Sequence, residues 1–200
     1  MSPRTPKKGK GGIRTDTDLE HKKKGTRKER ASFLILCEGK TEKDYFVGMR
    51  SRQGPHIDVD APKVDHLSII REAVARRSDE YDAVWCVLDT ELDEGLTSAL
   101  ISEAKRGSID LCLSTPCFEV WLIMHHTDCT RSFLSANEAK RRLRSVAPGW
   151  SEGNTRFSDF LHGLDAACLR ARQLDPTGED FLRNPSTNAW QLVLAIRPKA

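Results

Sequence analysis

The sequence predicts an α/β protein: a mainly parallel sheet with flanking helices and a helical C-terminal part. Three observations carry this. Residues 33–37 and 83–88 are continuously apolar and 109–113 is apolar but for Asp110, which suits strands covered on both faces, whereas a strand open on one face alternates. Segments with helical spacing separate these runs, and a strand–helix–strand order calls for parallel strands joined by right-handed crossovers. Beyond residue 126 the strand-like runs stop and helix signals take over.

Each element has its own local reason. Phe33 to Cys37 form the first strand, Glu38 follows it, and Gly39 permits a sharp turn. Thr41 is placed to cap the next helix, with Asp44 closing the box. After Gly54-Pro55, residues 56–60 alternate as a less buried strand near an edge. Leu67, Ile70 and Val74 then mark one stripe of an amphipathic helix whose other side carries Arg71, Glu72, Arg76 and Arg77. The run 83–88 ends on Asp89. Residues 93–106 read as a helix with Leu96, Leu100 and Ala104 inward and Gly107 as its stop. The strand 109–113 empties into Ser114-Thr115-Pro116, where proline suits the first turn of a helix running through Phe118, Val120, Trp121, Leu122 and Met124. Ser135 and Glu138 form a capping box opening a basic helix with Lys140, Arg141, Arg142 and Arg144. Residues 155–173 predict another helix, and Asn184-Pro185-Ser186-Thr187 starts a last one.

Composition limits the class. The 200 residues suffice for one well-packed domain, placed at 31–200. Residues 1–30 carry 11 Lys/Arg against 4 Asp/Glu, a net of +7, so the remaining chain holds −4 of the total +3. That basic, almost apolar-free tail cannot bury enough surface to offset its ordering entropy, and it predicts disorder. No apolar run is long enough to cross a bilayer and no hydrophobic leader is present, so the expectation is a cytoplasmic protein without a membrane partner. The six cysteines form no Cys-x-x-Cys pair, and Cys37, Cys86 and Cys112 sit inside apolar runs as small buried hydrophobes.

Chemistry concentrates where strands end, because ligands of parallel sheets gather at the carboxyl ends of their strands. Glu38, Asp89 and Ser114 all fall there. Glu91, one residue beyond Thr90, can join Asp89 in sharing a hard divalent cation such as Mg²⁺ or Mn²⁺. The plainer reading of any one such acid is a helix cap or a solvated loop residue. Glu119 in a first helical turn is accounted for by the helix dipole alone. His125, His126, Asp128 and Cys129 match no zinc spacing, and Cys117 among apolar neighbours reads as a packed thiol. Neither G-x-x-x-x-G-K-[ST] nor G-x-G-x-x-G occurs, which argues against a nucleotide-hydrolysing engine.

Four motifs taken together resemble the RloB family: Leu36-Cys37-Glu38-Gly39-Lys40-Thr41-Glu42-Lys43-Asp44-Tyr45-Phe46, Asp89-Thr90-Glu91, Ser114-Thr115-Pro116-Cys117-Phe118-Glu119-Val120-Trp121-Leu122 and Asn184-Pro185-Ser186-Thr187-Asn188. That family is associated with restriction-modification and abortive-infection loci, and its members are similar to the Toprim domain of primases and type II topoisomerases. The resemblance implies a Toprim-like sheet, a catalytic Glu38, and Mg²⁺ or Mn²⁺ held by Asp89, Glu91 and Glu119. Glu91 departs from the Asp-x-Asp pattern of Toprim domains by one methylene. The implied activity is phosphodiester hydrolysis in nucleic acid, DNA or tRNA, with the basic tail and the helix of Lys140 drawing the backbone. The alternative is a noncatalytic sensor or partner subunit for a defence-locus ATPase, which exposed Trp190, Leu192, Val193 and Ile196 would favour. A homodimer is compatible with either.

Overall fold

The structure is a computed structural model that describes residues 30–198; all of the predicted disordered tail except Arg30 lies outside the described residues. The sheet has five strands: β1 (Ser32–Cys37), β2 (His56–Asp60), β3 (Ala83–Asp89), β4 (Asp110–Thr115) and β5 (Ser186–Thr187), in the order β2-β1-β3-β4-β5. The first four are parallel and β5 runs antiparallel to β4. Seven α-helices accompany them among the described residues: α1 (Lys40–Gly48), α2 (His66–Arg76), α3 (Glu94–Gly107), α4 (Glu119–Met124), α5 (Ala136–Val146), α6 (Leu164–Leu174) and α7 (Ala189–Ile196). No described helix is long and apolar enough to cross a membrane.

Both faces of the sheet are covered, and this explains the continuous apolar runs. Phe33, Ile35 and Cys37 of β1 pack with Tyr45 of α1, Trp121 of α4, Ala167 of α6 and Leu192 of α7. Leu34 and Leu36 point the other way, with Val84, Cys86 and Leu88 of β3, onto Ile69, Ile70 and Ala73 of α2 and Leu100 of α3. Each such Leu or Ile contributes about 1.5–3 kcal/mol on burial. A one-residue slip of β1 would exchange its two faces, so its register is strongly fixed.

Several local readings are corrected. Gly39, not Thr41, is the N-cap of α1, and Glu42, not Asp44, completes the capping box. Asp44 instead pairs with Lys40. The inward stripe of α2 is Ile69, Ile70 and Ala73, with Leu67 packed partly buried beside it as predicted, but Val74 is exposed. Helix α3 does end at Gly107, but not through a left-handed glycine. Gly107 is the last helical residue, Ser108 takes the left-handed conformation at φ 52°, and the glycine is needed because a Cβ there would collide with Val74 of α2. Helix α4 begins at Glu119, so Pro116 precedes it instead of opening it.

The C-terminal part departs furthest. Residues 155–173 do not form one helix: two 3₁₀ turns, Phe157–Asp159 and Leu161–Gly163, come before α6. The Phe160 carbonyl accepts from His125 Nδ1 at 2.7 Å, and a Cβ on Gly163 would collide with the His125 carbonyl. Since that carbonyl only accepts, Nδ1 carries the proton and Nε2 is left to accept from the Tyr45 hydroxyl at 3.1 Å. Burial lowers the His125 pKa to about 4, so the ring is a neutral core group. Its neighbour Asp128 pairs with Arg170.

Residues 186–187 likewise form a strand instead of opening the last helix. Thr187 and Ser186 pair with Ser114 and Thr115, and α7 starts only at Ala189. Asn188 then continues the pairing with its side chain: Oδ1 accepts from Leu113 N at 2.7 Å and Nδ2 donates to Leu111 O at 2.9 Å. This satisfies the outer edge of β4, which would otherwise bury unpaired backbone groups. Leu192, Val193 and Ile196 are core, and Trp190 packs partly buried with Arg172 5.1 Å above its ring.

Replacing Asn188 by Ala is expected to destabilise the fold by about 2–4 kcal/mol, because both β4 groups lose their partner inside the protein. Chemical denaturation of the two proteins measures this.

Candidate functional site

The carboxyl ends of β1 and β3 lie side by side because Cys37 pairs with Val87 in the parallel ladder. Glu38 extends that ladder by one bond, its N–H donating to Val87 O at 3.0 Å. Its side chain then reaches the neighbouring strand: Glu38 Oε2 accepts the Asp89 N–H at 3.0 Å. Asp89 passes the pattern on, with Oδ1 accepting the Phe118 N–H at 2.9 Å where α4 begins. Two strand ends and one helix start are thereby joined through carboxylate oxygens.

Two more acids enter from helices. Glu42, in the first turn of α1, accepts the Gly39 N–H at 3.1 Å and is 6% exposed. Glu119, the first residue of α4, is 3% exposed. Burial, and then the charges of Glu119 and Glu38, raise the Glu42 pKa to about 7. Burial, followed by Glu38, Glu42 and Glu119, also holds the Asp89 carboxyl well above the usual range. Asp89 retains some solvent exposure, yet its carboxyl group is densely surrounded by protein.

Glu91 stands differently from its predicted partner. It lies outside β3, in a turn closed by the Asp93 N–H donating to Thr90 O at 2.9 Å. Glu91 and Leu92 occupy φ 53° and 62°, a left-handed region that costs non-glycine residues about 1–3 kcal/mol each. The Glu91 N–H donates to Pro116 O at 3.1 Å, which pins the turn to the segment before α4.

The predicted residues therefore fall into two adjoining groups. Ligand atoms of Glu38, His66 and Glu91 lie within 4.8 Å of one another, and so do those of Asp89, Cys117 and Glu119. The bond from Asp89 N–H to Glu38 links the groups. His66 had no place in the sequence reading. It is the first residue of α2, after the N-cap Asp65, and its Nε2 lies 2.9 Å from Glu38 Oε2. The ring lacks hydrogen-bond alignment to that oxygen, and the buried Nε2 has no other partner. The Glu38 carboxylate raises the His66 pKa; burial opposes this, and Glu91 and Asp65 add to it.

The charge balance is one-sided. Among the described residues Glu42, Asp89, Glu91 and Glu119 form no ion pair, and Glu38 meets only His66. Lys140 is the nearby cation: burial pulls its pKa down, but Glu152 and then Glu119 hold it above its usual value, and its ammonium is 2.5 Å from Glu152. Lys40 is turned away, bonded to Asp44 and to Gly153 O. Oxygen donors in excess, held by backbone N–H groups and short of cationic partners, fit a hard divalent cation.

A family model described as RloB-like protein matches residues 33–196. No curated protein and no solved structure matches the chain.

Glu42 supplies a test of the charge crowding. The folded chain holds the Glu42 proton more tightly than the unfolded chain does, since the pKa rises from 4.5 to about 7 on folding. Its contribution to stability therefore falls as pH rises from about 4.5 to about 7 and is flat beyond. In EDTA, Glu42→Gln is expected to remove that slope and to stabilise the protein at about pH 8 by about 2–3 kcal/mol, measured by denaturant unfolding across the pH range.

Proposed function

The chain belongs to the RloB-like family, and from that premise and the crowded carboxylates at its strand ends we propose a cytoplasmic, metal-dependent nuclease-like protein of bacterial defence that hydrolyses phosphodiester bonds in DNA or tRNA. One observation carries the reading: Glu38, Asp89 and Glu119 converge from two strand ends and a helix start with His66 as the one ion-pair partner among them. Structural acids are usually neutralised by Arg or Lys, and these are not. That favours a task over a purely structural role.

In this reading Glu38 positions the attacking water, since its oxygen is fixed at the joint of the two groups. Asp89 with Glu119, and Glu91 with Glu38, offer two adjoining sets of oxygen donors for Mg²⁺ or Mn²⁺. Such a cation, when bound, stabilises charge developing on the phosphorus oxygens. Asp89 is held for this by the Phe118 N–H, and Glu91 by its pinned turn. The exposed guanidinium groups of Arg141 and Arg142 on α5 offer sequence-independent attraction for a phosphate backbone. The partner-subunit alternative loses the surface it needed on α7, where Leu192, Val193 and Ile196 are buried.

Purified protein is expected to cut DNA or tRNA with Mg²⁺ or Mn²⁺ and to stop in EDTA. Glu38→Gln and Asp89→Asn should each lower the rate by about 100-fold or more, read from product formation on gels. Equal cleavage by the wild type and both variants would overturn the proposal.

A further inference from the structure

His66 is the one member of the two groups that carries a nitrogen donor. We propose that His66 is a ligand of the cation held with Glu38 and Glu91, so that this half of the site favours a first-row transition cation such as Mn²⁺ over Mg²⁺. The assignment rests on the metal-dependent reading above and names which cation class that site takes.

The geometry supports a ligand more than a hydrogen-bonded imidazole. Two adjacent ligand atoms on an octahedral ion with bonds of about 2.1 Å stand about 3 Å apart. His66 Nε2 and Glu38 Oε2 stand 2.9 Å apart, and the pair lacks the alignment of a hydrogen bond. The nitrogen is buried and has no partner besides Glu38, and once the ring releases its proton the Nε2 lone pair is free to take a cation. Glu91 brings a third donor atom within 4.8 Å of both, from a turn whose two central residues accept left-handed strain.

A separate observation in the adjoining group points to a cation. Glu119 is 3% exposed and its carboxylate makes no ion pair among the described residues, while it lies against Asp89 and Cys117. With Glu38 joined to Asp89, the whole cluster is anionic and lacks a fixed counter-charge of its own size.

The scaffold suits the role. Asp65 caps α2 by accepting from Ser68 N at 3.0 Å and from Ser68 Oγ at 2.6 Å, which fixes the turn on which His66 stands. Ile69 and Ile70 anchor the same turn in the core. The donor's chemistry then sets the selectivity. Mg²⁺ takes oxygen ligands and keeps its waters, whereas imidazole nitrogen is accepted increasingly well along the series from Mn²⁺ onward.

Pulsed electron paramagnetic resonance of the full chain loaded with Mn²⁺ tests the assignment by a readout other than activity. The expected result is electron spin echo modulation from a directly bound ¹⁴N nucleus, altered by ¹⁵N-histidine labelling and absent in His66→Ala and His66→Gln. Calorimetry should show Mn²⁺ affinity reduced about tenfold or more in both variants, with Mg²⁺ affinity changed less than about threefold. Circular dichroism confirms that each variant folds. Bound Mn²⁺ without nitrogen modulation in the wild type would overturn the assignment, whatever the variants do. So would modulation that persists in a folded variant. A wild-type chain that binds Mg²⁺ but no Mn²⁺ overturns this inference alone, and one that binds neither cation overturns the metal-dependent reading and this inference with it.

Discussion

The hydrogen bond from the Asp89 N–H to Glu38 Oε2 ties the ends of the two central strands together, and the site can hold its shape only if both cores hold theirs. β1 contributes alternate residues to the two faces: Phe33, Ile35 and Cys37 to one, Leu34 and Leu36 to the other. The last residue of this alternation is followed by Glu38, so the direction of its side chain is set by apolar packing several residues earlier. The same holds for β3, where Val87 and Leu88 are buried on opposite faces just before Asp89. The carboxylates are thus positioned by core packing along their strands, and a volume change in either core reaches the site through the strand ends.

That positioning has an energetic cost that local effects do not offset. Glu42 and Glu119 occupy the first turns of α1 and α4, where a helix dipole favours an acid by about 0.3–1 kcal/mol. Burial and mutual repulsion outweigh this, since the Glu42 pKa rises to about 7 despite its bonds to backbone N–H groups. Left-handed residues at Glu91 and Leu92 add strain on the same rim. Charge crowding and strain in one place mark a rim not optimised for stability alone; one so optimised would carry a lysine or arginine at its centre.

How much of this was legible follows from what each feature depends on. β1 and β3 were readable because double burial writes itself as unbroken apolar runs, and β4 by its short apolar stretch Leu111-Cys112-Leu113. β5 was not, because two residues carry no period and Ser186-Thr187 pair with β4 only through the fold. Gly107 and Gly163 look alike in sequence as helix punctuation. Only the packed structure tells that one admits Val74 and the other the His125 carbonyl. In the site, Glu38 and Asp89 were visible as acids ending buried strands. Glu42 was hidden behind the choice of Thr41 as the cap, and taking Gly39 as the cap makes Glu42 the box partner three residues on. His66 left no signal: it is one histidine on an amphipathic helix, far from Glu38 in sequence and 2.9 Å from it in space.

The glutamate at position 91 gains a reason from this placement. Read beside Asp89 as one half of an acidic pair, its extra methylene looked like a departure that moves a ligand out of position. The two acids do not share a group, however: Asp89 gathers with Glu119, while Glu91 gathers with Glu38 and His66 across the mouth of the sheet. From the turn at Thr90 to Asp93, an aspartate carboxylate would stop about 1.5 Å shorter than a glutamate, the length of one carbon–carbon bond. With the glutamate, a carboxylate oxygen lies within 4.8 Å of His66 at the start of α2. The methylene at position 91 and the imidazole at position 66 therefore meet in one cluster, which joins a strand-end pair to the first residue of a helix.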